Sequence, residues 1–247
     1  QTTGAGLVID TSKHLRRLIA FDQEARTAEV EPGIVLDALN AQLKAHGLWF
    51  PVDVSTSAQA TIGGMAGNNS CGSRSIAYGN MVHNVLGIDA WLSDGSTVSF
   101  GPVGALGTKE RAIADFVRNL ALECRGEIEA RWPKVLRRVA GYNLDIFQPQ
   151  SERPYTTDGS VNLAHLLVGS EGTLAFFKRL KLQLSELPKA KVLGVGTFTT
   201  LDKATESGQQ IVNLGDGTLT EEELVDRTMH LVALRHPDVA RGYVRGV

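Results

Sequence analysis

The chain has 247 residues, 43% apolar and 21% charged, with a formal net charge of -2. This is the composition of an ordinary globular protein of one or two domains, long enough to bury a sizeable core. It gives no case for nucleic acid as a partner. No apolar run reaches the roughly 18–20 residues needed to span a bilayer, so no transmembrane segment is expected. The opening QTTGAG has no initiator Met and no basic-then-apolar leader pattern. It reads as the middle of a loop, which points to a fragment lacking its N-terminal portion. Cys71 and Cys124 make neither a disulfide framework nor a metal signature. No His/Asp/Glu cluster has ligand spacing, so no metal is expected. The simplest location is the cytoplasm, with the inner face of the membrane as the alternative.

In chain order, GLVID at 6–10 has the look of a buried strand. RLIAFD and TAEVEP, joined by polar QEAR, predict a hairpin that Pro32-Gly33 ends. IVLDALNAQLKAHG carries apolar residues at helical spacing and stops at Gly47. LWFPVD returns to extended chain. Residues 86–100, LGIDAWLSDGSTVSF, predict a second hairpin around Asp94-Gly95, a dipeptide favoured by type I′ turns. Residues 108–130 read as one helix weakened by Gly126. LLVG and LAFFKRLKLQLSEL look like strands. A new strand-then-helix pattern starts at KVLGVGTFTT and runs through LDKATESGQQIVNL, and EEELVDRTMHLVALRH is an amphipathic helix. Strands and helices mix without regular βαβ alternation, so the fold class is α+β. Pro188 marks a domain boundary, giving domains at 1–188 and 189–247.

Two stretches carry chemistry. Ala60 to Asn84 (ATIGGMAGNNSCGSRSIAYGNMVHN) packs five glycines, four asparagines and three serines. Glycine lets backbone approach a ligand, and small polar side chains hydrogen-bond phosphate or carbonyl oxygens. Residues 61–73 could therefore line a phosphate-bearing or heteroaromatic cofactor; a long polar surface loop explains the composition as well. There is no GxxxxGK[ST], and no GxGxxG follows a strand. The second stretch, Gly169-Ser170-Glu171-Gly172-Thr173, is another tight turn rich in donors; an ordinary strand connection is the plainer alternative. His83, Tyr142 and Asp145 are read as a solvated loop histidine and parts of a structural turn. Arg137-Arg138 is read as a solvated helix face, and Arg74 as a surface residue or an aid to an anion.

The ordered motifs Phe50-Pro51-Val52-Asp53-Val54-Ser55, Thr61-Ile62-Gly63-Gly64, Asn69-Ser70-Cys71-Gly72, Tyr78-Gly79, Asp94-Gly95, Gly141-Tyr142-Asn143-Leu144 and Gly169 to Leu174 resemble a known family over about residues 1–200. It is the FAD-binding domain of the vanillyl-alcohol-oxidase (PCMH) type, in the branch of FAD-linked D-2-hydroxyacid dehydrogenases. The resemblance implies FAD lying between two α+β subdomains, the first of them N-terminally incomplete, with a truncated substrate (cap) domain after residue 188. It implies that Ser55, Ala60, Thr61, Gly63, Gly64, Asn68, Ser70, Cys71, Gly72 and Ser73 line the cofactor, mostly through backbone. It also implies that Tyr78, Gly79 and Val85 close the site and that Glu171, Gly172, Thr173 and Ala175 flank it. Cys71 is read as a fitted small side chain rather than a flavin attachment point.

The same resemblance leaves gaps. The chain starts at about the last residue of the family's upstream glycine-rich loop, Met65 stands where an Asn is usual, and G-I-I-T is replaced by Ala175-Phe176-Phe177-Lys178. The implied reaction is hydride transfer from a small 2-hydroxy acid to FAD, with an unnamed downstream electron acceptor. Flavin carries that chemistry, and the protein supplies orientation and electrostatics. No catalytic residue is nameable in the chain, so the fragment alone is expected to be inactive. Two alternatives are a cofactor-free structural module and an NADPH-dependent reductase sharing the FAD domain.

Overall fold

A computed structural model describes residues 8–150, 153–190 and 196–212. The chain divides into two units, Gln1–Leu187 and Pro188–Val247. The first is built on a five-stranded antiparallel sheet of order β1-β2-β6-β4-β5. Strands β1 (Leu18–Asp22) and β2 (Thr27–Val30) form the first expected hairpin. Helix α1 (Leu36–Leu43) buries Leu36, Leu39 and Leu43, which share one face at helical spacing. A 3-10 turn extends it to Gly47, whose φ of 71° ends it in the left-handed conformation that glycine tolerates. Strand β3 (Leu48–Trp49) pairs later with β7 (Ser185–Glu186) in a separate two-stranded sheet.

The glycine-rich stretch becomes three short helices, α2 (Ile62–Gly67), α3 (Ser75–Tyr78) and α4 (Met81–Asn84). Strands β4 (Val85–Trp91) and β5 (Thr97–Phe100) follow. Their turn differs from the type I′ expectation. Only Gly95 has positive φ, at 79°, and its N–H donates to Leu92 O while Leu92 N–H donates to Ser96 O. That is a type I turn followed by a left-handed glycine. The single helix expected over 108–130 is two, α5 (Thr108–Glu123) and α6 (Arg125–Arg131). The break is at Cys124, which leaves helical dihedrals at φ -88° and ψ 6°.

LLVG is not a strand. Ala164–Leu167 form a helical turn, α7. Asn162 Oδ1 accepts the Ala164 N–H at 2.9 Å, a local bond that favours a helix start. Strand β6 (Phe176–Gln183) then enters between β2 and β4, so the last strand of the large sheet to form in sequence is its centre. Phe177, Leu180 and Leu182 face the core. The spacing is irregular because the register against β4 shifts between Asp89 and Ala90, leaving Lys178 and Arg179 both outward. Across the outer face Arg179 pairs with Asp89 at 2.5 Å and Glu29 at 3.2 Å. The core joins this sheet to α1, α2, α4 and α7 through Leu39, Ile62, Met81 and Leu167.

The expected strand at GLVID is absent from its described part: Val8 and Ile9 are exposed and lie outside any element. In the second unit, helix α8 (Leu201–Val212) forms where the sequence placed one. Residues 191–195 of KVLGVGTFTT lie outside the described residues, and 196–200 form no strand. The helix expected over 221–236 also lies outside them.

Leu180 is fully buried at the middle of the central strand. Leu180→Ala is expected to cost about 2–5 kcal/mol of unfolding free energy, read from the urea midpoint, because both transfer and cavity terms are lost. A cost under about 1 kcal/mol would mean β6 is not the centre of the core.

Candidate functional site

The site is assembled from three segments far apart in sequence. Helix α2 begins at Thr61, whose hydroxyl accepts the Gly64 N–H at 3.3 Å. Its last residues present carbonyls to the second glycine turn: Gly169 N–H donates to Ala66 O at 2.9 Å and Glu171 N–H to Gly67 O at 3.0 Å. Asn68 Nδ2 donates to Glu171 Oε1 at 2.9 Å. The third segment is GYNLD. Asn143 is buried, and its Nδ2 donates to His165 O and Val168 O, both at 2.9 Å. Tyr142 OH donates to Thr173 Oγ1 at 2.8 Å, and Thr173 Oγ1 in turn donates to Ser170 O at 2.5 Å. The expected residues of 61–73 and 171–173 thus form one cluster, held from behind by GYNLD.

The glycines split into two kinds. A Cβ on Gly63 would sit 2.5 Å from Pro32 Cβ, one on Gly72 2.2 Å from both Asp53 O and Oδ1, and one on Gly79 2.8 Å from the His83 ring. These three are required by protein packing. Gly64 is exposed and would meet only Thr61 Oγ1 at 3.0 Å, and Gly172, at φ 74°, would meet nothing. Ser170 Oγ, in the same turn as Gly172, is buried and without a partner. The lip at Gly64 and Gly172 therefore has open space where side chains would intrude, and a buried hydroxyl in the same turn lacks a partner, so its residues fit a bound dinucleotide. Most N–H groups of 62–70 already bond protein acceptors, so the polar groups that face outward here are chiefly side chains, Asn68 and Glu171 among them.

The other expected residues fall around this cluster. Ser55 is exposed in the preceding turn; Ala60 O accepts the Leu36 N–H. Ser70 O accepts the Met81 N–H, and Ser73 Oγ donates to Asp53 Oδ2 at 3.2 Å. Cys71 is a half-buried free thiol receiving Arg137 Nε and Nη2 at 3.4 and 3.3 Å. Tyr78 lies on the far side, edge-on to Trp49 at 5.4 Å. Val85 is buried, and its carbonyl accepts from His165 Nε2 at 3.0 Å. Ala175 is buried in the core cluster at the entry to β6.

Several readings of the sequence need correcting. Arg137 and Arg138 are on no helix. Arg138 is half-buried and donates to Asp145 Oδ2 at 2.7 Å. Tyr155 OH reaches the same carboxylate at 3.1 and 3.2 Å. Burial pushes the Asp145 carboxyl up, outweighing the pull of Arg138. His83 is not a solvated loop residue. Asn80 N–H donates to its Nδ1 at 3.0 Å, so the proton sits on Nε2, which is buried without a partner. Arg153, unremarked in the sequence, donates to the carbonyls of Ser75, Ile76 and Ala77 and so closes the end of α3.

With this geometry in place, comparison with known proteins is informative. Residues 1–101 match the family model described as "FAD binding domain". Over those residues the chain is similar to an FAD-binding domain. The chain is 32% identical over 221 residues to the D-2-hydroxyglutarate dehydrogenase of Pantoea ananatis, covering 86% of this chain and 21% of that protein. It is 28% identical over 210 residues to the probable mitochondrial D-lactate dehydrogenase of Danio rerio, covering 85% of this chain and 32% of the relative. The chain thus spans about a fifth to a third of the length of these relatives. An alkyldihydroxyacetonephosphate synthase structure superposes with a TM-score of 0.51 at 19% identity, covering 83% of this chain and 27% of that one. That likeness shows the shared α+β fold. Among the described residues, no group of three His, Cys, Asp or Glu could hold a metal ion, and no helix is long and apolar enough to cross a membrane.

Burial of two histidines beside this site sets a pH dependence. His83 is driven to a pKa of about 4 by desolvation and by the charge of Arg153, and His165 to about 4 by desolvation. Both rings bind protons near pH 6.5 when unfolded but only near pH 4 when folded, so the unfolded chain gains protons first on acidification. Stability should be full above pH 6.5 and fall toward pH 4, by on the order of 2–3 kcal/mol per ring. Urea midpoints between pH 7 and 4.5 check this, and His83→Gln should remove about half of the histidine contribution. An identical slope in that variant would show that His83 is not buried neutral.

Proposed function

We propose that this chain is the FAD-binding part of a dehydrogenase that oxidises a small D-2-hydroxy acid. The observation that carries the reading is the joining of the two glycine turns through Ala66 O, Gly67 O and Asn68, with open space at Gly64 and Gly172 and a buried, unpaired Ser170 Oγ in the second turn. Bound flavin supplies the hydride acceptor. Ser55, Ala60, Thr61, Gly63, Gly64, Asn68, Ser70, Cys71, Gly72 and Ser73 form one wall for it, and Glu171, Gly172, Thr173 and Ala175 the other, with Tyr78, Gly79 and Val85 behind.

The chain's own part is to orient and shield. Gly64 and Gly172 admit a ring or phosphate at close range. Ser170 Oγ offers one hydrogen bond, and a buried hydroxyl left unpaired costs about 1–3 kcal/mol, so satisfying it favours the bound state. The Arg137 guanidinium on Cys71 holds that thiol in place at the edge of the first turn. The matches to enzymes named as D-2-hydroxyglutarate and D-lactate dehydrogenases favour a 2-hydroxy acid over NADPH as the electron source. The base and the carboxylate-holding groups are assigned to the substrate domain, for which residues 189–247 are the beginning, and the location to the cytoplasm.

The test is a visible spectrum of the whole protein, with and without added FAD. A flavin band that bleaches with D-lactate, glycolate or D-2-hydroxyglutarate is expected. Absence of any flavin after reconstitution, or bleaching by NADPH alone, would overturn the reading. A second measurement separates cradle from packing. Gly64→Val should lose FAD retention while unfolding within about 1.5 kcal/mol of the parent, because its Cβ meets only one hydroxyl. Gly72→Ala should instead lower stability by more than about 1 kcal/mol, since the added carbon would clash with Asp53 backbone. Equal flavin content in Gly64→Val and the parent would remove residues 61–73 from the cofactor wall.

A further inference from the structure

Of the four buried side-chain polar atoms without a partner among the described residues, Ser170 Oγ belongs to the glycine lip, and the other three border two cavities on either side of Arg138. The smaller cavity, about 20 Å³, touches Asn80 and His83 and is the size of one water, which would satisfy the His83 Nε2–H. The larger is about 330 Å³, at the lower end of the range of small-molecule sites. Trp132 lines it, and the Trp132 Nε1–H is buried and unpaired. An indole N–H is a donor only, so it asks for an acceptor.

The charges around the larger cavity are Arg125, Lys134 and Arg138 against Glu129 and Asp145, a surplus of one positive charge. Arg125 is paired with Glu129 at 2.7 Å and Arg138 with Asp145 at 2.7 Å, while Lys134 meets no carboxylate among the described residues. Ile128, Trp132 and Pro149 add apolar wall. Arg138 lies over the Trp132 ring at 5.3 Å and over the Tyr155 ring at 5.3 Å, which fixes the guanidinium as a rigid partition.

We infer that this cavity is a second ligand site, separate from the glycine lip, and that it takes a small monocarboxylate with a compact apolar body. The carboxylate accepts from the Trp132 indole N–H and neutralises Lys134. The body packs on Ile128 and Pro149. A single negative charge matches the single surplus cation, and a planar acid fits beside a ring already stacked by Arg138.

The probe is benzoate, titrated into the 15N-labelled chain and followed at the indole N–H resonance of Trp132, which is identified by its loss in Trp132→Phe. A saturable shift with a Kd at or below about 1 mM is expected. Benzamide, of the same shape but neutral, should leave the resonance in place. Lys134→Gln, an exposed change, should weaken benzoate by about fivefold, the loss of one partly exposed charge contact. The shift should persist with FAD added, since the site is distinct from the glycine lip. No shift with benzoate, equal shifts with benzamide, unchanged affinity in Lys134→Gln, or loss of the shift on adding FAD would each overturn the proposal.

Discussion

Everything on the functional side of this domain hangs on the Asn143 side chain. Its amide nitrogen is buried and spans two carbonyls, those of His165 and Val168, both at 2.9 Å. Those carbonyls close the end of α7 immediately before Gly169. With them fixed, the Gly169 and Glu171 N–H groups are aimed at Ala66 O and Gly67 O, and two turns a hundred residues apart become one surface. Without an amide there, two buried acceptors would be left unpaired, which costs more than the average hydrogen bond contributes. Asn143 is in turn held by Tyr155, whose hydroxyl reaches Asn143 Oδ1 at 3.3 Å and the Asp145 carboxylate beyond it.

The arrangement also explains why the glycines are distributed as they are. Gly169, at φ 88°, would place a Cβ 2.9 Å from Gly141 O and 3.5 Å from Asn69 Cβ, so close backbone approach joins the three segments. Asn69 continues the tie: its Oδ1 accepts the Val82 N–H and its Nδ2 donates to Arg138 O. Asn69 and Glu171 both hold positive φ, at 50° and 51°, one on each side of the junction. Left-handed backbone in residues other than glycine costs energy and persists where surrounding bonds over-determine it.

Much of this was legible in the sequence, and for physical reasons. The β1–β2 and β4–β5 hairpins and helix α1 carry their own periodicity and stop signals, and these need no tertiary context. The two glycine turns stand out by composition, though a surface loop and a strand connection explain that composition as well until the two are seen joined. What local pattern could not reveal is where a polar residue spends its hydrogen bonds. LLVG reads as a strand by composition, yet Asn162 starts a helical turn there and Asn143 holds its carbonyls. Arg138 reads as a solvated charge, yet it is drawn half into the protein because Asp145 and two aromatic rings meet it from distant positions. Residues 108–130 read as one helix weakened at Gly126 because propensity ranks glycine low, whereas the helix breaks two residues earlier, at Cys124.

The central claim is that Asn143 positions the second glycine turn against α2. Amide hydrogen exchange at Gly169 and Glu171 tests it most directly, in the parent and in Asn143→Ala. The account predicts that both amides lose protection together in the variant, while the amides of β2 and β4 that pair with β6 keep theirs. Undiminished protection at Gly169 and Glu171 in a folded Asn143→Ala would contradict it, because the junction would then hold without the side chain said to fix it.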